Sequence, residues 1–316
     1  MLQRFLSSSR SFLLRAAVAI FALVSSTYLP FLLLGLLNRP SGIIKSTFIC
    51  YAGNANYAQH YSFKFMRSWL RWRPTPIGVF RQGKKWGIVF ATPMTEEDFL
   101  NPKNRDHFLR LLDRLENINA LLGVRLTSYA GVIPSHLHAN GYKSDVSDHF
   151  SKPLPVINKS IEIIISKEFP DNPDVPIILL GGNGKIGTPL KYHWRDSSTD
   201  IYVVDPNGGN ASLPRELYGK PTILVDVSRR GVIRKYIDEM WENIVILNET
   251  FPEPSKSTIS LINSKGVPIY HLSGVKGVVI PSLPHGYVDS VPCCAIHDSN
   301  EDTLPVLTIL GSKRVV

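Results

Sequence analysis

The sequence predicts an α/β fold in which a parallel sheet follows a first α/β region and an apolar N-terminal segment. Three observations predict it. Short apolar runs recur in the second half of the chain, helical or glycine-rich stretches separate them, and an uncharged stretch of 23 residues lies near the start. Such runs are typical of strands buried on both faces of a sheet, and their alternation with helices favours parallel pairing. With 316 residues, the chain has room for one large or two medium domains.

The uncharged stretch, residues 16–38, is long enough to cross a bilayer, because about 20 apolar residues suffice. Pro30 lies inside it and predicts a kinked or re-entrant helix. A cleaved secretory signal and an organelle transit peptide are the alternatives, although the stretch exceeds the roughly 7–15 apolar residues of a secretory signal. We therefore expect residues 1–40 to form a transmembrane or membrane-anchoring segment.

The net charge of +9 is unevenly placed along the chain. Of the 35 Lys and Arg residues, 12 lie in residues 1–95, which contain no Asp or Glu; the rest of the chain holds the other 23 and all 26 acidic residues. Within residues 60–86, Trp69, Trp72 and Trp86 alternate with basic side chains. This mixture favours an anionic membrane surface over nucleic acid as the partner, with an ordinary aromatic core edge as the alternative.

The cysteines Cys50, Cys293 and Cys294 are odd in number and include one adjacent pair, so they do not form a disulfide framework. This pattern indicates a reducing compartment, and we expect the folded part of the chain to face the cytoplasm. No Cys/His set has the spacing of a zinc site, so no metal is expected.

Residues 41–170 are predicted to form an N-terminal α/β substrate domain. Its expected elements are a hairpin, a capping box, a long helix ending at Gly123, a strand and a second helix, at residues 77–91, 95–98, 104–122, 124–129 and 155–168. Prolines at 170, 173 and 176 then mark a linker.

Residues 171–265 are predicted to form a dinucleotide-binding domain, and residues 266–316 a segment that packs back on the N-terminal domain. The domain's expected strands lie at residues 175–181, 201–205, 222–228 and 243–248, and its expected helix lies at 231–242. The tail is expected to have short strands near 268–272 and 276–280.

A glycine motif follows the first of these strands, formed by Gly182, Asn183, Gly184, Lys185, Ile186 and Gly187. Asp205 ends the next strand, 18 positions after Gly187. In a Rossmann-like unit the first glycine permits a tight turn, the second lets a pyrophosphate approach the backbone, and the third allows close packing of helix on strand. The motif predicts NAD or NADP as cofactor, and Asp205 favours NAD because a carboxylate repels a 2′-phosphate. A glycine-rich turn without a ligand is the alternative.

Two further features bear on this site. Asp226 ends a strand, where α/β proteins bind ligands, or it caps the element that follows. The interval 188–221 is too short for the extra strand and helix of a full Rossmann unit, which indicates a reduced sheet.

The order of segments also suggests a family. It runs through IGVFRQGKKWGIVFATP, LRLLDRLENINALLGVRLTSYAG, ILLGGNGKIGTPL, ILVDVSRRGVI, NIVILNETFPEP and VPCCAIHD. Over about residues 77–298 this order resembles the cyanobacterial-type long-chain acyl-carrier-protein reductases, whose nucleotide domain is like that of shikimate dehydrogenase. The resemblance implies reduction of a fatty acyl thioester to an aldehyde with a nicotinamide cofactor, with Cys294 in the place of the nucleophile. The chain departs from the family in lacking a strand before ILVDVS and in its N-terminal apolar segment.

Cys294 is the preferred nucleophile, because a thiolate attacks thioesters well, and a buried, unreactive cysteine is the alternative. His271, with His285 as the second candidate, is expected to act as acid/base or to donate to a carbonyl, and a satisfied polar group is the alternative. His297 or His271 is the candidate to activate Cys294 by lowering its pKa. Ser135, His136 and His138 lie in a loop after a strand, where substrate contacts are common. The sequence therefore predicts an NAD(P)-dependent oxidoreductase acting at a membrane on a hydrophobic acyl- or aldehyde-type substrate, free or on an acyl carrier. A non-catalytic nucleotide-binding or scaffold protein, and a membrane-surface protein that binds no nucleotide, are the alternatives.

Overall fold

The computed structural model describes residues 2–52, 58–59, 61–139, 150–195, 199–206, 208, 210–283, 290–297 and 303–311, and only the backbone of residues 2–11. The chain divides into two compact units. Unit 1 comprises Met1–Val146, Gly277–Pro284 and Cys294–His297, and unit 2 comprises Ser147–Lys276, His285–Cys293 and Asp298–Val316.

The described α-helices are α1 Leu2–Ser25, α2 Leu29–Ser41, α3 Arg67–Leu70, α4 Glu96–Leu100, α5 Arg105–Leu122, α6 Ile133–Ala139, α7 Pro153–Glu168, α8 Gly187–Trp194 and α9 Lys256–Ser264. The strands are β1 Ile44–Tyr51, β2 Thr75–Gln82, β3 Lys85–Thr92, β4 Leu126–Tyr129, β5 Ile177–Leu180, β6 Ile201–Val204, β7 Thr222–Asp226, β8 Ile244–Asn248, β9 Ile269–Lys276, β10 Val278–Ile280, β11 Ser290–Val291 and β12 Pro305–Ile309. Single 3₁₀ segments lie at Lys64–Met66, Pro102–Asn104, Arg215–Leu217, Val232–Glu239 and Cys293–Ala295.

Unit 1 contains a five-stranded sheet in the order β10-β2-β3-β1-β4. The predicted hairpin is confirmed as β2 and β3, which pair antiparallel, whereas β1 pairs in parallel with both β3 and β4. The sequence analysis did not predict β1, because its apolar residues follow the N-terminal stretch with little to mark where a strand begins. Its partners lie far along the chain, and pairing with them is what defines it.

The helix α5 confirms the predicted long helix and its end. Gly123 adopts φ 71°, the left-handed conformation that suits a glycine C-cap. The predicted capping box is also present, since the backbone amide of Thr95 donates to the Asp98 carboxylate at 2.9 Å. Helical spacing and local caps are therefore sufficient to define these two helices.

A buried polar network joins α5 to the sheet. Asn119 is 7% exposed, and its carbonyl oxygen accepts a hydrogen bond from the Thr47 hydroxyl at 2.9 Å. Its amide nitrogen donates to the Thr127 hydroxyl at 2.7 Å. One side chain thus fixes the helix against β1 and β4, the two strands at one end of the sheet.

The N-terminal helices α1 and α2 meet at a sharp bend. Tyr28 adopts φ 59° at the break, and Pro30 lies in the first turn of α2, where proline is tolerated. Among the described residues no single helix is both long and apolar enough to cross a bilayer; Phe12–Ser25 and Leu29–Ser41 pass that test only as a pair, bent by 84°. The predicted break is therefore present, but it precedes Pro30.

Unit 2 contains a seven-stranded sheet in the order β11-β9-β8-β7-β5-β6, with β12 also paired to β9. The strands β5 to β9 are mutually parallel, and β11 and β12 run antiparallel to β9. Counted along the chain, the parallel strands lie in the order 2-1-3-4-5, a doubly wound arrangement compatible with a Rossmann-like fold. Mixed α/β architecture with parallel strands is thus confirmed.

Two predicted features of unit 2 differ in the structure. The predicted helix at 231–242 is a 3₁₀ segment, Val232–Glu239, and buries Ile233, Tyr236 and Ile237. Apolar residues three and four positions apart do not distinguish an α-helix from a 3₁₀-helix. Between β6 and β7 the described residues contain only the short 3₁₀ turn Arg215–Leu217, in line with the short interval noted in the sequence.

The boundaries of the compact units also differ from the predicted domains. The division falls after Val146 rather than after residue 170, because α7 packs against β8, β9 and β12 and so belongs to unit 2. The structure divides the tail as well: β9, β11 and β12 belong to unit 2, whereas Gly277–Pro284 and Cys294–His297 belong to unit 1.

Replacing Asn119 by alanine tests the polar network of unit 1. The Asn119→Ala variant leaves the buried Thr47 hydroxyl and the half-buried Thr127 hydroxyl without their amide partner, and we expect a loss of about 1–3 kcal/mol in the free energy of unfolding. Asn117→Ala, on the exposed side of the same helix, is the matched control. Chemical denaturation measures both, and equal losses in the two variants would contradict the role assigned to Asn119.

Candidate functional site

The carboxyl ends of the parallel strands in unit 2 carry a row of polar residues. Asp226 of β7 is in register with Asn248 of β8, and Asn248 is in register with His271 of β9. All three side chains are at most 1% exposed. In sheets of this order ligands bind at the carboxyl edge where the strand order reverses, which is here between β5 and β7.

The turn after β5 contains the glycine motif. Its left-handed residue is Gly181, with φ +88°, and not Gly182 as the motif predicts. A Cβ on Gly181 would lie 2.7 Å from Cα of Ser228, and a Cβ on Gly182 would lie 2.6 Å from Cγ1 of Val203. Both positions therefore require glycine: Gly181 packs against the segment after β7, and Gly182 packs against β6.

The other two glycines differ in their surroundings. A Cβ on Gly187 would overlap the carbonyl oxygen of Gly181 and lie 2.6 Å from Cα of Gly182, so α8 begins in direct backbone contact with the turn. Gly184 is exposed, and its added Cβ would meet only the Gly181 carbonyl oxygen, at 3.0 Å. Gly187 is thus fixed by packing, whereas Gly184 offers open backbone to solvent.

Donor groups gather on this turn. Among the described residues, the backbone amides of Lys185, Ile186 and Gly187 have no hydrogen-bond partner. The Lys191 ammonium donates to the side-chain oxygen of Asn183 at 2.9 Å and places a positive charge beside the loop. Free amides at the start of a helix, with a lysine nearby, are suited to bind an anion.

Asp205 lies directly after β6, next to the turn. Its carboxylate accepts a hydrogen bond from the backbone amide of Asn183 at 3.3 Å. The structure therefore brings together Asp205 and the glycine motif, as the sequence spacing predicts, and an exposed loop amide is the contact that links them.

Asp226 has a structural role in its own turn. One carboxylate oxygen accepts from the backbone amide of Ser228 at 3.0 Å and from its hydroxyl at 2.5 Å. Burial raises the pKa of Asp226 to about 6, although the Ser228 hydrogen bonds oppose that rise. Of the two interpretations of Asp226, the geometry favours the one in which it holds the segment after β7.

Glu249, which follows β8, was missed by the sequence analysis. Burial raises the pKa of its carboxyl to about 7, and the charge of Asp226 adds to that rise. The Cys293 thiol donates a hydrogen bond to the Glu249 carboxylate, with 3.6 Å between sulfur and oxygen. This hydrogen bond opposes the rise in pKa. The rule that drew attention to Asp226, a carboxylate at the carboxyl end of a parallel strand, applies equally to Glu249 and would have found it.

His271 is held from one side by Asn248. The Asn248 amide nitrogen lies 2.8 Å from Nδ1 of His271 and 3.0 Å from the carbonyl oxygen of Thr250. With Nδ1 accepting, a neutral imidazole carries its proton on Nε2. The side-chain oxygen of Asn248 is buried and has no hydrogen-bond partner among the described residues.

Cys294, the predicted nucleophile, belongs to unit 1, whereas His271 belongs to unit 2. Within unit 1, Cys294 lies close enough to Cys50 to affect its ionisation. Burial, chiefly, and the charge of Cys294 raise the pKa of the Cys50 thiol to about 12. This pair of thiols could not be read from the sequence, because the two residues lie far apart along the chain.

The remaining candidate histidines have mainly packing contacts. The His297 ring stacks on Phe80 at 5.1 Å between centroids. The His136 ring meets Phe108 edge-on at 4.8 Å, and burial lowers its pKa. Ser135 and exposed His138 lie on the same short helix, α6. His285 lies outside the described residues.

The described residues contain no group of three or more His, Cys, Asp or Glu side chains placed to hold a metal ion. No protein-family model matches the chain, and no curated protein matches it. The geometry of the site is therefore the basis on which its function is proposed.

The raised pKa of Glu249 predicts a pH-dependent stability. Its folded value of about 7 exceeds its ordinary 4.5, so the folded protein binds the proton more tightly. This contribution is fully present below pH 4.5 and is lost as the pH rises through 7. The pKa of Asp226 is raised from 3.8 to about 6, so its contribution to stability is also lost as the pH rises. We expect the free energy of unfolding to fall across this window and Glu249→Gln to flatten the profile.

Glu242→Gln, which removes an exposed carboxyl from the same unit, is the control for this measurement. Denaturation at a series of pH values gives the profiles. If Glu249→Gln leaves the slope between pH 4.5 and 7 unchanged, the assignment of the raised pKa to Glu249 is wrong.

Proposed function

We propose that unit 2 is a reduced Rossmann-like unit that binds NAD or NADP, and that the chain is an oxidoreductase acting at a membrane on a hydrophobic acyl- or aldehyde-type substrate. One observation carries the proposal: the glycine turn follows β5 at the point where the strand order reverses, with Asp205 at the end of the adjacent strand. Both features are what a dinucleotide requires of a parallel sheet.

The residues of the turn fit a diphosphate. Gly184 has no side chain to obstruct the approach, and the amides of Lys185, Ile186 and Gly187 supply three donors at the start of α8. Lys191 adds a positive charge at the same loop. These groups would bind and orient the phosphates without rearranging, because Gly187 already packs the turn onto the backbone of residues 181 and 182.

Asp205 would select among cofactors. A carboxylate at this position accepts hydrogen bonds from ribose hydroxyls and repels a 2′-phosphate, so NAD is favoured over NADP. Asp205 also holds the Asn183 amide, so ribose binding and the shape of the glycine turn are coupled through one side chain.

Glu249, at the same edge, would donate a proton. When bound, a nicotinamide cofactor supplies a hydride to a carbonyl carbon. Because burial raises its pKa to about 7, Glu249 can hold a proton near neutral pH and donate it to a developing alkoxide. For an acyl thioester substrate, NADH and one proton are consumed, and an aldehyde and a free thiol are released. Cys294 is the candidate to take up the acyl group, as the family resemblance implies.

A non-catalytic nucleotide-binding or scaffold protein is the second candidate. The observation that favours it is the short connection between β6 and β7, whose described residues lack the strand and helix of a full unit. His271, 1% exposed and hydrogen-bonded to Asn248, is also poorly placed to reach a substrate. The two candidates share the nucleotide site and differ in whether any chemistry follows binding.

Titration of the full chain with NADH and NADPH tests the nucleotide site. We expect NADH to bind more tightly than NADPH, and Gly184→Val to weaken NADH binding about tenfold or more, because its side chain occupies the open backbone. Asp205→Ala should weaken the binding of NADH roughly 10- to 100-fold, which corresponds to the loss of a charge-assisted hydrogen bond. The binding of NADPH should be weakened less. Asp200→Ala, an exposed carboxylate just before β6, is the control. Absence of binding by either nucleotide at millimolar concentration would falsify the proposal.

Turnover distinguishes the two candidates. With a long-chain acyl thioester and NADH, we expect Cys294→Ala to abolish thioester reduction while reduction of the matching aldehyde persists. Glu249→Gln should slow both reactions by roughly 10²- to 10⁴-fold without weakening NADH binding. NADH consumption measures the rates. Tight NADH binding with no consumption in the presence of either substrate would favour the scaffold.

A further inference from the structure

The helices α1 and α2 carry many apolar side chains that are exposed on the outside of unit 1. Its exposed side chains include Phe12, Ile20, Phe21, Leu33, Leu36 and Leu37, of which Leu37 is 72% exposed. Scattered apolar residues are normal on a protein surface, but a concentration of them on two consecutive helices indicates an interaction site.

The opposite face of α2 is docked on the folded protein. Phe31 is 3% exposed, and its ring lies 5.9 Å from that of Phe90. A Cβ on Gly35 would overlap the carbonyl oxygen of Leu121, so α2 lies directly on α5. Asn38 donates to the carbonyl oxygen of Leu122 at 3.1 Å. The helix is thus an integral part of unit 1 on one side and bare on the other.

This docking is incompatible with a helix surrounded by lipid. The helix α5, on which α2 lies, exposes the charged side chains of Arg110, Asp113 and Glu116. Charged groups are costly inside the hydrocarbon of a bilayer. Because α5 has to stay in water or among headgroups, α2 would lie at the boundary of a membrane rather than within the bilayer core.

The lengths of the two helices lead to the same conclusion. The apolar parts, Phe12–Ser25 and Leu29–Ser41, are each about 20 Å long at about 1.5 Å per residue. The hydrocarbon core of a bilayer is about 30 Å thick. With a bend of 84° between them, the two helices suit a path along one leaflet.

The surroundings of the apolar face indicate what covers it. Rings of Phe12, Phe63 and Phe65 follow one another at 5.7 and 5.6 Å and extend the face to Phe65, which is 79% exposed. Lys64, beside Phe65, and Lys45, just beyond α2, are exposed. The first 95 residues hold no acidic side chain. An apolar face with a basic border is complementary to an anionic lipid surface.

We propose that the outward faces of α1 and α2, with Phe65, form a monotopic docking surface for an anionic lipid leaflet. The apolar side chains enter the upper part of the leaflet, the basic side chains contact the headgroups, and the chain does not cross the membrane. The proposal does not depend on nucleotide binding.

Vesicle flotation of the full chain tests the docking surface. We expect binding to vesicles of phosphatidylcholine with phosphatidylglycerol, and weaker, salt-insensitive binding to phosphatidylcholine alone. The double substitution Leu33→Asp and Leu37→Asp should reduce the bound fraction about tenfold or more, because each carboxylate would have to enter the apolar leaflet. Leu261→Asp, at an exposed leucine of α9, is the matched control. Lys45→Glu with Lys64→Glu should weaken binding only to the anionic vesicles. Thermal unfolding shows whether each variant is folded.

The side of the membrane on which each segment lies tests the monotopic arrangement. Protease sites are placed before residue 1 and in the hairpin turn at Gly83, where nothing lies within 4 Å of an added side chain. On sealed vesicles we expect both sites to be cleaved from the same side. Cleavage from opposite sides would overturn the proposal in favour of a membrane span. The proposal would also be overturned if the chain formed a dimer without lipid and bound no vesicle. The same holds if the native chain proved to lack α1 and α2.

Discussion

The contact between Gly187 and the turn after β5 is the constraint on which the proposed nucleotide site depends. No side chain fits at Gly187, because its Cβ would overlap the carbonyl oxygen of Gly181. That close approach starts α8 directly over the end of β5 and leaves the amides of residues 185–187 without partners among the described residues. The same turn brings the Asn183 amide to Asp205. The unpartnered amides and the position of Asp205, on which the proposed nucleotide site depends, thus both follow from one backbone packing requirement.

The carboxyl edge of the unit 2 sheet combines two kinds of chemistry. The end formed by β5 and β6 offers donors and bare backbone, whereas the end formed by β7 and β8 carries acids whose ionisation burial disfavours. A carboxyl with a pKa near neutrality is common where proton transfer is required. Buried polar groups are costly unless hydrogen-bonded, and the Asp226 carboxylate and the Asn248 amide nitrogen have such partners, whereas the Asn248 side-chain oxygen has none among the described residues. The edge therefore combines hydrogen-bonded polar groups with carboxyls whose protonated form is favoured by burial.

Unit 1 shows how an apolar N-terminal segment can be part of a folded body. Gly35 permits α2 to lie against α5, and Asn38 satisfies the carbonyl group of Leu122 at the end of that helix. Asn119 holds the other side of α5 to the sheet. A helix with one docked face and one bare face differs physically from a segment surrounded by lipid, although the two look alike in hydropathy.

Much of the fold could be predicted from the sequence, because the signals concerned act over a few residues. The capping box at Thr95, the C-cap at Gly123, the hairpin of β2 and β3 and the glycine motif depend on local geometry and on short periodicities. Only the tertiary structure decided the rest. The strand β1 is defined by distant partners, and the contacts of Glu249 with Cys293 and of Cys50 with Cys294 join residues far apart in sequence. The left-handed turn falls on Gly181 rather than Gly182, and Ser228 packs against it. Such contacts exist only after the chain has folded, so no local pattern encodes them.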